Sequence, residues 1–290
     1  MARNIDLILT AVAPVIWGST YFVTTEYFPA GYPLTVAMLR ALPVGLLLLL
    51  VVRQLPSGVW WFKILVLGAL NFSIFWWMLF ISAYRLPGGI AATVGAIQPL
   101  IVIFLARLLL GDPVRLLVIV SAMVGLCGIA VLVITPEASL DPLGIAAGIV
   151  GALSMAIGTV LVRRWQPEVS LLTFTSWQLV AGGLLLLPVA MWFEPPLPAL
   201  SNENILGFIY LGLIGAGLTY ALWFRGLSRL EPSTVSTLGF LSPITAVIIG
   251  WLFLNQSLNL MQLAALITVF VSLWLSQFAS RPVASSKIRS

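Results

Sequence analysis

What most constrains this chain is the recurrence of apolar runs long enough to cross a membrane. Ten of them lie near residues 5–25, 34–52, 61–84, 89–110, 115–134, 143–162, 171–192, 205–225, 233–254 and 259–279. At about 1.5 Å of rise per residue, ~20 apolar residues span the hydrocarbon layer, and backbone in lipid must bond within itself. The expected fold is therefore an all-α integral membrane protein of ten transmembrane helices. The 290 residues would also accommodate two soluble domains, but only 8% are charged, against roughly 25% in soluble domains. Proline, glycine and small polar residues mark the breaks between runs: Pro56-Ser-Gly, Arg85-Leu-Pro-Gly-Gly, Gly111-Asp-Pro, Glu194-Pro-Pro, Glu231-Pro and Asn255-Gln-Ser.

Lys and Arg in short loops set orientation. With the N-terminus in the cytoplasm, Arg3, Arg53, Lys63, Arg107, Arg115, Arg163, Arg164, Arg225, Arg229, Arg281, Lys287 and Arg289 fall on the inner side and only Arg85 on the outer. Both termini are then cytoplasmic. The basic residues are scattered rather than clustered, so the net charge of +5 does not point to nucleic acid. The first run lacks a small-residue cleavage pattern and reads as a retained span rather than a signal peptide. The lone Cys127 excludes an intramolecular disulfide and reads as a packing residue.

The chain repeats itself. A shift of 144 positions lays Leu67, Gly68, Arg85, Leu86, Thr93, Gly95, Pro99 and Leu110 on Leu211, Gly212, Arg229, Leu230, Thr237, Gly239, Pro243 and Leu254. Each unit holds five spans, an odd number, so the second must enter the membrane upside down relative to the first. The expected organisation is a first five-helix unit over 1–138, an inverted second over 139–280 and a cytoplasmic tail over 281–290. A weaker shift of 140 pairs Gly18-Ser19 with Gly158-Thr159, and Arg40 in the second span has Gln178 as its counterpart in the seventh.

Trp17-Gly18-Ser19, Arg40, Gln98-Pro99-Leu100 and Leu109-Leu110-Gly111-Asp112, with echoes at Gly158-Thr159, Gln178, Leu241-Ser242-Pro243 and Leu254-Asn255-Gln256, resemble the drug/metabolite transporter superfamily in its ten-span, EamA-type branch. Within it the chain looks most like the amino-acid exporters of the YddG type. That resemblance implies a basket of ten helices around a central substrate cavity. Many members carry Glu where this chain has Asp112 and Gln256, which argues against a carboxylate role there.

Arg40 is the one charge well inside a span, where it costs about 2.5–3.5 kcal/mol on insertion scales. It either faces the cavity and holds a substrate carboxylate through its planar fork, or it reaches the interface and pairs with Glu26. Pro99 and Pro243 each withhold a backbone donor, and Gln98 and Ser242 beside them could answer the freed carbonyls. Gly95, Pro99, Gly239 and Pro243 are candidate hinges, with static kinks as the alternative. Trp60, Trp61, Trp165, Trp192, Trp251 and Trp274 sit near span ends as an interfacial belt. Trp17, Trp76, Trp77, Trp177 and Trp223 lie deeper. With Tyr21, Tyr84, Tyr220 and Phe224 they could wall a cavity for a small organic solute, and stripes such as Gly144, Gly148 and Gly151 suit helix packing or dimerisation.

There is no histidine and no deep carboxylate, so neither a proton relay nor acid–base or metal chemistry has carriers. No cofactor and no metal are expected, and the chain does not read as an enzyme. The expected function is export of aromatic and other neutral amino acids across a bacterial-type inner membrane by alternating access, driven by their own gradient. Proton-coupled efflux of drugs or other small metabolites is the alternative. The expected partners are the small-molecule substrate and the lipid bilayer, with no nucleic acid, the protein being a monomer or weak dimer.

Overall fold

The computed structural model describes residues 2–28, 31–86, 93–133, 141–253 and 259–280. The expected glycine-rich turn after Leu86, the Asn255-Gln-Ser connection and the tail over 281–290 lie outside them. The described chain is helical throughout. Its ten helices are α1 (Ala2–Tyr27), α2 (Pro33–Val52), α3 (60–85), α4 (Thr93–Leu110), α5 (Leu116–Val133), α6 (Pro142–Arg164), α7 (Leu171–Phe193), α8 (Asn202–Arg229), α9 (Pro232–Phe253) and α10 (Leu260–Ala279). Nine are long and apolar enough to cross a bilayer, and the described apolar part of α5, Leu116–Leu132, is shorter.

Local chemistry sets the helix ends. Asp141 caps α6 by accepting from the Leu143 and Gly144 N–H groups, and Ser170 caps α7 by accepting from Thr173. Ser201 with Asn204 and Asn259 with Gln262 form reciprocal capping boxes at α8 and α10. Gly111 closes α4 at φ +78°, a left-handed conformation that suits glycine.

Packing follows the repeat. α2 packs on α7 and α5 on α10, each helix against its own image. α1 packs on α8 and α9, and in the same way α6 packs on α3 and α4. Exchanging every helix for the one five places along leaves this scheme unchanged. The α2–α7 seam shows it at atomic detail: a Cβ on Gly45 would lie 2.7 Å from the Val180 nitrogen, and one on Gly183 would lie 2.6 Å from the Leu42 Cβ. Both glycines let two backbones approach. With five spans in each half, equivalent helices run in opposite directions, and the fold is a pair of inverted five-helix units.

Polar contacts mark the two faces. On the face where the chain begins, Arg3 donates to the Gln277 carbonyl, Arg163 to the Leu227 and Ser228 carbonyls and Arg164 to that of Leu109. On the opposite face the Glu194 carboxylate accepts from the Leu34 and Thr35 N–H groups at 2.6 and 2.7 Å, so the end of α7 caps the start of α2. Of the tryptophans expected near span ends, Trp61, Trp192, Trp251 and Trp274 are exposed, whereas Trp60 and Trp165 are half-buried with the Lys63 ammonium over their rings. Cys127 differs from its expected packing role and is exposed on α5.

Two departures from regular helix occur where the repeat demands them in pairs. α3 contains a π-helical turn over Ala69–Ser73 and α8 one over Tyr210–Leu218. The 144-residue shift carries 69–73 onto 213–217, inside the second. α4 and α9 are likewise interrupted, at residues 96–97 and 239–240, by i→i+3 bonds such as Ile97 N–H to Val94 O and Gly239 N–H to Ser236 O. The breaks precede Pro99 and Pro243 rather than falling at them. Each proline sits near the start of the following helical segment, where its missing N–H removes no helical bond.

Candidate substrate site

Arg40 lies on α2 and is buried, 9% exposed. Its Nη2 donates to the Gly215 carbonyl at 2.6 Å, and its guanidinium carbon stands 5.0 Å from the Trp76 ring centroid. Glu26, the alternative partner, is exposed. Gly215 belongs to the π turn of α8. A wide turn leaves carbonyls outside the regular i→i−4 ladder, and such turns recur at functional sites. This carbonyl also accepts from the Thr219 hydroxyl at 2.8 Å, and Thr219 accepts from the Trp17 indole at 2.9 Å. A carbonyl and a ring face are among the groups that position the cation in the seam between the halves.

Around it the expected wall residues close on one another. Trp17 lies 4.9 Å from Tyr220 and 5.1 Å from Trp223, ring to ring, and Tyr220 lies 4.5 Å from Phe72 and 5.6 Å from Phe224. Tyr220, Trp223 and Phe224 are buried. The sequence places these rings around an open cavity, whereas here they are packed together. Ser19 adds a hydroxyl pair with Tyr210 at 2.7 Å.

The repeat gives this arrangement an image. Gln178, at the position equivalent to Arg40, accepts from Asn71 Nδ2 at 2.9 Å. Asn71 lies in the π turn of α3 at the position equivalent to Gly215. Each π turn therefore meets the polar side chain of the second span of the other half. Sequence reasoning missed Asn71, although the signal was available: among the six asparagines it alone sits mid-span.

Other expected site residues are distributed elsewhere. Trp177 donates its indole N–H to the Gln54 carbonyl at 2.6 Å, near the starting face, and Trp77 lines a pocket of the opposite face with Pro33, Leu34, Phe80, Ile81 and Arg85. Gln98 Nε2 is buried without a hydrogen-bond partner among the described residues, so it does not answer the freed carbonyl of its own helix. Ser242 offers its backbone oxygen to the close approach of Gly18, where a Cβ would lie 2.5 Å away. Gly95 precedes the interruption of α4, and Gly239 lies within that of α9. The side chains of Tyr21 and Tyr84 lie outside the described residues.

Ion pairs frame the seam at both faces. Asp6 on α1 meets Arg225 at 2.7 Å and Arg229 at 3.5 Å, both on α8. On the opposite face Arg85 on α3 meets Asp141 at the start of α6 at 3.2 Å. Arg85 and Arg229 are repeat equivalents, and each pairs with the aspartate that begins the first span of the other half. The starting face carries one pair more, a two-pronged contact from Arg115 to Glu231 at 2.9 and 3.1 Å. At the opposite face the Gly144 N–H, with the Leu143 N–H and Arg85, holds the Asp141 carboxyl below its ordinary value against an opposing effect of burial.

Two inverted units, a polar group deep in the seam and a family model matching twice, over residues 4–134 and 142–278, decide the assignment. The chain belongs to the EamA-like transporter family. It is 46% identical over 267 residues to Protein PecM of Dickeya dadantii, covering 91% of this chain and 90% of that protein. It is 29% identical over 287 residues to the uncharacterized inner membrane transporter YedA of Escherichia coli, covering 95% and 93%. A solved crystal structure shares the fold with a TM-score of 0.79 at 18% identity, over 96% of this chain and 99% of that one. The protein is a multi-pass membrane transporter and not an enzyme.

Proposed function

We propose that this EamA-family transporter exports aromatic and other neutral amino acids across an inner membrane by alternating access, with both termini in the cytoplasm. Arg40 carries the reading. It is a buried guanidinium in the seam between inverted halves, where its contacts include a carbonyl and a ring, with aromatic side chains beside it for an apolar group. A bidentate anion contact is the chemistry its fork suits best. The paired Arg–Asp contacts at opposite faces support alternating access, because inverted units exchange roles when the transporter turns over. The described seam holds no buried carboxylate deep enough to carry a proton, which favours facilitated movement.

The test is uptake of a panel of radiolabelled amino acids into liposomes containing the purified protein. Saturable uptake of aromatic and neutral amino acids is expected, abolished in Arg40→Ala and weakened in Arg40→Lys, which keeps the charge but loses the fork. Absence of saturable uptake for every amino acid would remove the proposal. Uphill movement driven by an imposed pH gradient would replace its facilitated character with proton coupling.

A further inference from the structure

The image of the Arg40 site contains a polar atom with nothing to bond. Gln178 is fully buried and directs its Nε2 toward the Phe174 carbonyl at 3.5 Å, so its Oε1 is the acceptor that faces Asn71. Asn71 must then present Nδ2 to it, at 2.9 Å. That leaves Asn71 Oδ1 as the remaining acceptor, buried and without a hydrogen-bond partner among the described residues. Leaving a buried acceptor unsatisfied is unfavourable, so such an atom needs an explanation. A second unpartnered acceptor is Thr159 Oγ1, on the residue after Gly158, also buried and without a partner among the described residues. Gly158 is what admits the amide, since a Cβ there would lie 2.0 Å from Asn71 Oδ1.

We infer that Asn71, with Thr159, forms the second pole of the substrate site and receives the ammonium group of an amino acid whose carboxylate is held by Arg40. This inference rests on the proposed amino-acid substrate and specifies how it is recognised. The repeat places the two poles as images of each other, one a strong donor and the other supplying acceptors, which matches the head-to-tail polarity of a zwitterion. The rings of Phe72, Trp76 and Tyr220 cluster beside Arg40, and aromatic faces attract a cation without requiring a carboxylate.

The experiment compares inhibition of L-phenylalanine uptake in liposomes by unlabelled L-phenylalanine, by 3-phenylpropionate, which lacks the ammonium, and by phenethylamine, which lacks the carboxylate. In the parent, phenylalanine should inhibit best. Asn71→Ala should raise its inhibition constant and that of phenethylamine about tenfold and leave that of 3-phenylpropionate unchanged, so that phenylalanine and 3-phenylpropionate become alike. Thr159→Val, nearly the same size, should reduce the ammonium preference in the same direction and serves if Asn71→Ala does not fold. Retained preference for phenylalanine over 3-phenylpropionate in the folded variants, or equal weakening of both ligands, overturns the inference while the Arg40 result stands. No saturable phenylalanine uptake in the parent removes the substrate reading and this inference with it.

Discussion

Replacing Asp6 with Asn should open the starting face of the seam. The Asp6 side chain is 12% exposed and faces Arg225, itself 22% exposed, at 2.7 Å. Arg229 is 55% exposed at 3.5 Å, and solvent screening reduces its share to a few tenths of a kcal/mol. Removing one partner of a fully buried pair costs about 3–5 kcal/mol, and an exposed pair contributes about 0.2–1. A partly buried pair such as Asp6–Arg225 lies between, at roughly 1–3 kcal/mol, and its loss leaves two arginines facing each other. If the pair closes this face and breaks when it opens, that difference shifts the closed-to-open ratio by about 5- to 150-fold. A cysteine at Thr10, which is fully buried in α1 against Gly226 of α8, would report the shift as a faster reaction with a membrane-impermeant maleimide. Cys127 is exposed and is changed to Ser first. Ser82→Cys provides the control, because Ser82 meets Gly148 in the equivalent seam of the opposite face. Asp6→Asn should accelerate labelling at position 10 only, and Asp141→Asn at position 82 only, more weakly because its pair is more exposed. Unchanged labelling at position 10, or acceleration at both positions, would refute the gate and indicate general loosening.

Gly183→Ala and Gly45→Ala should each destabilise the protein by about 1–3 kcal/mol, since either Cβ meets backbone of the facing helix; thermal unfolding in detergent checks this, and similar losses are expected from the two images. Glu194→Ala removes the acceptor of two α2 N–H groups and should lower the same midpoint by an amount equivalent to about 1–2 kcal/mol. The Asp141 carboxyl is held below its ordinary value in the folded protein. Its stabilising contribution is present above the unfolded value and is lost as pH falls through the folded one. The difference in midpoint between Asp141→Asn and the parent should therefore be constant from about pH 5 to 8 and shrink only below about pH 4.

Ten helices and their pairing into two units were legible because hydrocarbon thickness fixes span length and because the repeated residues sit where backbones must come close. Gly68 and Gly212 are such positions: their Cβ atoms would meet Ala181 and Val44 at 2.7 Å. Arg40 was legible because charge is rare in a span. Which side chains actually converge was not. Trp177 and Trp223 read alike as deep tryptophans, yet one anchors the Gln54 carbonyl and the other joins the central rings. Hydrophobic periodicity carries no information about which face of a wholly apolar helix turns inward. The π turns were also invisible, because no residue type specifies them. They arise where Arg40 and Ser154 supply donors from outside the ladder, to the carbonyls of Gly215 and Leu70.

The fold is symmetric and its polar lining is not, and this difference bears on how one solute can be both held and released. If both second spans carried arginine, an anion would be bound equally from either half, and neither end could discriminate a zwitterion from a dicarboxylate. Arg40 opposite Gln178 breaks that equivalence while the π turns keep the backbone equivalent, with α3 and α8 widened at the same depth. A widened turn carries fewer regular i→i−4 bonds than the helix around it. The contacts that hold each turn come from the opposite half: Arg40 on Gly215, and Gln178 on Asn71. On the proposed reading, a substrate carboxylate that recruited Arg40 would compete with the Gly215 carbonyl for the same donor. Binding would then loosen one bond between the halves, and a ligand that alters the seam in this way has the differential affinity needed to shift the two-state equilibrium.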